Sequence, residues 1–542
     1  MPQRAPKTTR AAAEPGRSAR IHTGYVVVVV LLALVVRTAA VRVPVQVLDG
    51  RTLADDAYLA LEISKNVGTG RGPRYGDAYT NGFQPLYVFL AAPIFAGRSA
   101  AELRDLRILD RSVHIALCIL AAFDLVALVV LGEILRRRHG AGLATIAGMT
   151  LWAVHPTVVL TVLNGLETSI ATAFVLAIWL AADTWARVGA PRWAHLVVGA
   201  LLGFGTLARI DVLFLAVPIG CLVMVQGGTA RTCRSVVTAL VSMAVGFVVV
   251  YSPWLAYSWA TTGTLVPVSG RAVRFMSLAN VGQKPDAAFY GHMMRWALRA
   301  VWQNSPLLWG LSSVVAVLAV TDRLWRGRRS IGARLLADLR GTFVLVGFCL
   351  LLFAAYTGYI FARWFFARYL FVCLLIPLSV LAAAAARIEA RLPVRWRGAR
   401  GHAAVVLGVL SIALCEPRAF ELYRETGGYG YRNLGLWARQ AFADGTVIGS
   451  SQTGALGYYA SNLKVVNLDG VVNQAAFESL REHRNVDYIR SAGIQYVIGW
   501  DVNIDFIRAH SQAFRDDDLP LLGIVPGVVT VSQPWYLYWV RR

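Results

Sequence analysis

Apolar runs of roughly 20 residues recur along this 542-residue chain, separated by short stretches dense in arginine, and nothing else in it limits the fold so sharply. A run of that length crosses a bilayer as a helix, because a helix satisfies its backbone hydrogen bonds within the segment. The runs give about eleven spans, near 23–42, 112–135, 141–160, 168–187, 193–208, 212–227, 234–256, 303–321, 342–361, 368–386 and 402–417. Composition agrees. Hydrophobic residues make up 56% and charged residues 15%, against roughly 25% charged in soluble domains. A soluble multidomain protein, a coiled coil and a disordered chain are all excluded.

Lys and Arg number 53 against 31 Asp and Glu, a net charge of +22. Much of the excess sits between apolar runs, at Arg136, Arg137 and Arg138, at Arg323 to Arg340, and at Arg387 to Arg400. That placement marks cytoplasmic loops and contact with lipid headgroups rather than nucleic-acid binding. The loops 43–111 and 257–302 then fall outside. Residues 1–22 read as a disordered basic cytoplasmic tail before an uncleaved first span, and Phe83–Phe95 as an outer juxtamembrane or re-entrant helix. The six cysteines form no CxxC pair and read as small hydrophobes. Beyond Pro417 strand-like runs alternate with helical pieces, as expected of a small α/β domain. The expected architecture is thus an α-helical polytopic membrane protein (23–417) with an extracytoplasmic α/β domain (418–542).

The first outer loop carries two adjacent acids, Asp55 and Asp56, ahead of a helical pattern running to Val67. Either acid could cap that helix. Leu59, Ile63 and Val67 would form an apolar stripe to lay on the membrane. A Gly-rich turn, Gly68 to Pro73, lacks the Gly-Lys-Ser/Thr ending of a phosphate-binding loop. Thr80-Asn81-Gly82-Phe83-Gln84-Pro85-Leu86 follows, then Asn164-Gly165-Leu166-Glu167-Thr168 and Ala208-Arg209-Ile210-Asp211. Looser stretches run from Pro267 to Arg271 and from Trp364 to Arg368.

In these motifs the chain resembles the GT-C superfamily of membrane glycosyltransferases, over about residues 50–370. The motif order is most similar to actinobacterial transferases that use a decaprenyl-phosphate sugar. The resemblance implies a GT-C fold and an active site on the outer side of the cell membrane. It also implies an inverting hexosyl or pentosyl transfer from a polyprenyl-phosphate sugar to a glycan, lipid or protein acceptor. Arabinofuranose is the leading sugar and mannose the next. The residues allow this chemistry. Asp55 or Asp56 would accept the acceptor hydroxyl proton, a contribution of roughly 10²–10⁴ in rate. The leaving phosphate needs cationic donors, for which Arg209, Arg271, Arg274, Arg363 and Arg368 qualify, although arginines at span ends also snorkel.

Glu167 and Asp211 either bind hydroxyls or hold an arginine, a Glu167–Arg209 pair being one option. On a continuous helix Arg209 and Asp211 would not face each other. Asn81, Gln84 and Asn164 are sugar-hydroxyl ligands or turn and cap residues. No His/Cys/Asp cluster has metal-ligand spacing, and a divalent ion between an acid of the pair and lipid phosphate is the one cofactor left open. The Gly449–Gly457 loop lacks GxGxxG spacing and reads as a structural turn. A transporter would place its polar groups near the bilayer midplane, whereas here the acids gather outside the spans, Asp124 excepted.

Overall fold

The computed structural model describes residues 14–188, 192–227, 233–279, 285–327, 342–393, 399–421, 430–512, 514–530 and 533–541. Most of the expected N-terminal tail lies outside them, as do the basic segments 328–341 and 394–398. The helix carrying the first apolar run begins at Glu14 and so takes in the end of that tail; extending a formed helix costs far less than starting one.

Among the described residues six helices are long and apolar enough to cross a membrane: Thr23–Val41, Leu106–His139, Arg234–Thr262, Pro306–Arg326, Phe343–Ile360 and Phe371–Glu389. Shorter apolar helices occupy Thr168–Thr184, Trp193–Ala208, Ile210–Val225 and Gly401–Cys415. The run expected as one span at 141–160 is instead two helices, Leu143–Val154 and Pro156–Val162, bent by 50°. The cause is local. Pro156 lacks an N–H and drives His155 into extended backbone (φ −64, ψ 124).

Asp124, the acid that stood out within a span, is paired. Arg37 Nε donates to it at 2.9 Å and Trp152 Nε1 at 3.1 Å, while Arg37 Nη2 donates to the Trp152 carbonyl at 3.1 Å. Arg37 and Asp124 are 1% and 3% exposed. A buried charge survives in such surroundings only when paired and hydrogen-bonded, so the pair fixes the first helix against Leu106–His139.

The loop between the first two long spans folds into the helix Asp55–Gly68, a short antiparallel hairpin (β1 Arg74–Tyr75, β2 Ala78–Tyr79) and the helix Pro85–Ala91 with a 3₁₀ turn to Phe95. The stripe expected on the membrane departs from prediction. Leu59 and Ile63 are buried, as are Ala57, Tyr58, Leu61 and Lys65, so protein covers most of that helix.

The C-terminal part is an α/β unit around one five-stranded sheet of order β4-β3-β5-β7-β6. Strands β3 (Val447–Ser450), β4 (Lys464–Asn467) and β5 (Tyr496–Gly499) are parallel, with helices Gly454–Tyr459, Gln474–Arg481 and Asn485–Ser491 in the crossovers. Strands β6 (Leu521–Thr530) and β7 (Gln533–Trp539) add antiparallel. Leu434, Ala455, Leu456, Tyr458 and Tyr459 belong to the same apolar core as Tyr58, Leu59 and Leu109, so the unit is packed onto the helical part.

Candidate active site

Where the helical part meets the C-terminal domain there is a cavity of about 690 Å³. Asp56, Gln84, Glu167, Arg209, Asp211, Arg271 and Arg368 line it, together with Arg274 and Arg481. Leu207, Ile210, Leu213, Phe214, Tyr251 and Trp254 form an apolar wall, and Val471 and Phe477 close the side toward the C-terminal domain.

The acidic pair divides. Consecutive helical residues point about 100° apart, so one acid faces the cavity when the other faces the C-terminal domain. Asp56 is the cavity acid, its side chain 40% exposed, and Arg368 Nη1 donates to its Oδ2 at 3.2 Å. Asp55 is buried. Neither caps its own helix, whose Ncap is Ala54. Asp55 Oδ2 accepts from the Gly454 N–H at 2.7 Å and Oδ1 from the Ala455 N–H at 2.9 Å. Burial pushes the Asp55 carboxyl up to about 7, against the pull of those two N–H groups, and Asp56 and Asp49 add to the rise. Asp49 is likewise raised, to about 6, chiefly by burial.

Arg209 and Asp211 do face each other. The helix ends at Ala208 and Arg209 is extended (φ −152, ψ 128), so the i,i+2 rule for helices no longer applies. Arg209 Nη2 and Nε donate to the Asp211 carboxylate at 2.6 and 3.2 Å, and Tyr356 Oη donates to Asp211 Oδ2 at 2.5 Å. Glu167 Oε1 lies 3.9 Å from Arg209 Nη1, so the carboxylate thought able to hold an arginine sits beside that same one.

The remaining cations differ in how far they are committed. Arg271 Nη2 is 3.9 Å from Glu478 Oε1, and its guanidinium lies over the Phe477 ring. Arg274 Nε donates to the Tyr359 carbonyl at 3.1 Å. Among the described residues Arg271 Nη1 and Arg368 Nε are buried without a hydrogen-bond partner. A buried N–H left open in a cavity wall is a place for an anion oxygen.

Four predicted residues lie off the cavity lining. Asp55 serves the interface just described. Asn81 donates to Thr262 Oγ1 at 3.0 Å and accepts from the Val268 N–H at 3.0 Å, holding the start of the helix Val268–Ala279. Asn164 Oδ1 accepts from the Leu166 N–H at 2.8 Å, an Asx turn. Arg363 is exposed and rests over Trp296. Conversely, Arg481, Tyr356 and Tyr369 line the cavity without having been singled out as ligands. From sequence Tyr356 fits an interfacial aromatic belt first and a lipid groove second, and nothing local distinguishes Arg481, which the C-terminal domain brings in.

Among the described residues no group of three or more His, Cys, Asp or Glu side chains is placed to hold a metal ion.

Over 95% of its length the chain superposes on ArnT from Cupriavidus metallidurans bound to undecaprenyl phosphate, covering 98% of that protein at 14% identity and a TM-score of 0.56. The apo state of the same protein gives 0.57 at the same identity and coverage. The chain has the GT-C fold. A weaker likeness, at 0.48 and 12% identity, is to the Archaeoglobus fulgidus oligosaccharyltransferase tethered with an acceptor peptide. Residues 421–537 match a family model described as a domain of unknown function (DUF8728). No curated protein matches the chain.

Proposed function

We propose that this membrane protein is an inverting glycosyltransferase that moves a sugar from a polyprenyl phosphate to an acceptor hydroxyl outside the cytoplasm. One observation carries the reading. A single cavity holds a solvent-reaching carboxylate, Asp56, two arginines with unpartnered buried N–H groups, Arg271 and Arg368, and an apolar wall. Those are the parts a lipid phosphate-sugar needs: cations for phosphate, an apolar surface for the first prenyl units, and a base for the incoming hydroxyl. The fold shared with ArnT, which binds undecaprenyl phosphate, supports the donor class.

In this reading Asp56 takes the acceptor hydroxyl proton as the oxygen attacks the anomeric carbon. The carbon–oxygen bond to phosphate breaks, and Arg271 and Arg368 receive the polyprenyl phosphate anion. Gln84 reaches sugar hydroxyls. Glu167 and Asp211 hold Arg209 in place beside them.

Charge supports the outer side of the membrane in this reading. Asp110, near the start of the helix Leu106–His139, bonds to Arg432 of the C-terminal domain at 2.9 Å. Arg136, Arg137 and Arg138 lie 26 to 28 residues further on, about 40 Å along the helix. Basic ends face the cytoplasm as a rule, which supports a reading with the cavity and the C-terminal domain outside.

The leading sugar is arabinofuranose from decaprenyl phosphate, on a cell-wall glycan. The test is a panel of radiolabelled polyprenyl-phosphate sugars, arabinofuranose and mannose included, given to wild type and Asp56→Asn with a cell-wall glycan extract. Transfer from one donor, cut by roughly 10²–10⁴ in Asp56→Asn with donor binding retained, is the expected result. Undiminished transfer in Asp56→Asn removes the base assignment. Failure of wild type to bind any panel donor removes the reaction class.

A further inference from the structure

The loop after β3, which reads from sequence as a turn without chemistry, is where the C-terminal domain grips the helix bearing the acidic pair. Gly454 and Ala455 open the helix Gly454–Tyr459 and give both their N–H groups to Asp55, at 2.7 and 2.9 Å. Tyr75 Oη donates to the Thr453 carbonyl one residue earlier, at 2.7 Å. The approach is so close that a methyl group on Gly454 would fall 1.9 Å from the Asp55 backbone oxygen.

The same division of labour repeats along the seam. Asp49 accepts from the Arg432 backbone N–H at 2.8 Å, and Asp110 accepts from the Arg432 side chain at 2.9 and 3.1 Å and from Tyr459 Oη at 2.8 Å. At Asp49, Asp55 and Asp110 the helical part supplies the carboxylate and the C-terminal domain the donors.

Of these three acids Asp55 alone adjoins a residue of the cavity. Holding one side chain of a first helical turn fixes the direction of the next, about 100° away. The helix has no side-chain cap of its own to fix that turn.

We propose that Asp55 is a positioning residue, and that the C-terminal domain, through the Gly454 and Ala455 N–H groups, sets the first turn of the helix Asp55–Gly68 so that Asp56 points into the cavity. This rests on Asp56 as the base. It gives the domain of unknown function a role in the reaction beyond walling the cavity.

The experiment uses the full chain in lipid nanodiscs, as wild type, Asp55→Asn, Gly454→Ala, the double variant and Asp56→Asn. It reads kcat, KM for the donor, and hydrogen exchange of the peptide spanning Thr453–Tyr459. Gly454 is not part of the cavity lining, so its variant removes no ligand. A displacement of about 1 Å at a reacting group costs up to roughly 10²-fold. We expect kcat to fall roughly 10- to 100-fold in Asp55→Asn and in Gly454→Ala, with donor KM within about twofold of wild type. The double variant should be no worse than the poorer single, because one link is cut twice. Exchange over Thr453–Tyr459 should quicken in Asp55→Asn and stay unchanged in Asp56→Asn.

Wild-type kcat in either Asp55→Asn or Gly454→Ala overturns the proposal. So does loss of donor binding in parallel with kcat, which would mark general collapse. Abolished transfer in Asp55→Asn with transfer kept in Asp56→Asn makes Asp55 itself the base and overturns both readings. If wild type transfers no panel sugar, the reaction and the positioning role fall together, while the exchange data still show whether the clamp exists.

Discussion

The buried trio Arg209, Asp211 and Glu167 offers a sharp test of whether the Arg209 motif is a bracket or a ligand set. Arg209 and Asp211 are 7% and 6% exposed and joined by two hydrogen bonds, of 2.6 and 3.2 Å. Glu167, 2% exposed, is 3.9 Å from the same guanidinium. Removing one partner of a buried pair costs about 3–5 kcal/mol, because the other charge is left in a poor solvent. Asp211→Asn leaves Arg209 with Glu167 as a second, more distant anion, so its cost lies near the lower end, about 3 kcal/mol. Glu167→Gln removes an anion beyond hydrogen-bond reach while the bidentate pair stays intact, and costs about 1 kcal/mol or less. Arg209→Gln leaves Asp211 with the Tyr356 hydroxyl alone and takes away the guanidinium beside Glu167, and costs the most. The assay is unfolding of the three variants in one detergent followed by tryptophan fluorescence, with polyprenyl-phosphate binding measured well below each midpoint. The expected order of loss is Arg209→Gln, then Asp211→Asn, then Glu167→Gln, with donor binding kept by Asp211→Asn in the cold. If Glu167→Gln is as damaging as Asp211→Asn, or if Asp211→Asn is stable yet binds no donor, the pair is not a bracket and the reasoning fails.

Arg271→Gln should raise donor KM at least tenfold, since a charge-assisted bond to phosphate is worth roughly 1.5–3 kcal/mol, whereas Arg363→Gln, exposed over Trp296, should leave KM within twofold; equal effects would refute the phosphate assignment. Docking of the C-terminal domain should weaken as pH rises through the range from about 4 to 7. Asp55 is raised from 3.8 to about 7 and Asp49 to about 6, both by burial, so the docked state holds protons that the unfolded chain releases. The groups facing them, Asp56 toward Asp55 and the Arg432 cation toward Asp49, act in opposite senses. Hydrogen exchange over Thr453–Tyr459, corrected for intrinsic rate, should therefore be faster at pH 8 than at pH 5, and Asp55→Asn should flatten the difference; a slope of the opposite sign would refute it. Gly82→Ala would set its methyl 1.9 Å from the Val471 carbonyl oxygen and should lower the unfolding midpoint and the transfer rate together, a silent substitution arguing against close packing there.

What could be read from the chain alone was whatever depends on local pattern. Apolar length marks the runs that became Leu106–His139 or Phe343–Ile360, and the proximity of two carboxylates marks the helix that borders the cavity. The Arg209–Asp211 contact was hidden although spans at 193–208 and 212–227 leave Arg209 to Asp211 between them, because apolar length does not give the backbone of the link; one extended residue converts an i,i+2 spacing that separates side chains into one that pairs them. The break at His155 was written in Pro156, yet hydropathy averages over it and returns one span. The division between Asp55 and Asp56 lies beyond any local reading. Two neighbouring acids look alike until the partner of one, 399 residues further along, is in place. A carboxylate that accepts two backbone N–H groups is spent, and its neighbour, turned about 100° away, is the one free to meet a substrate.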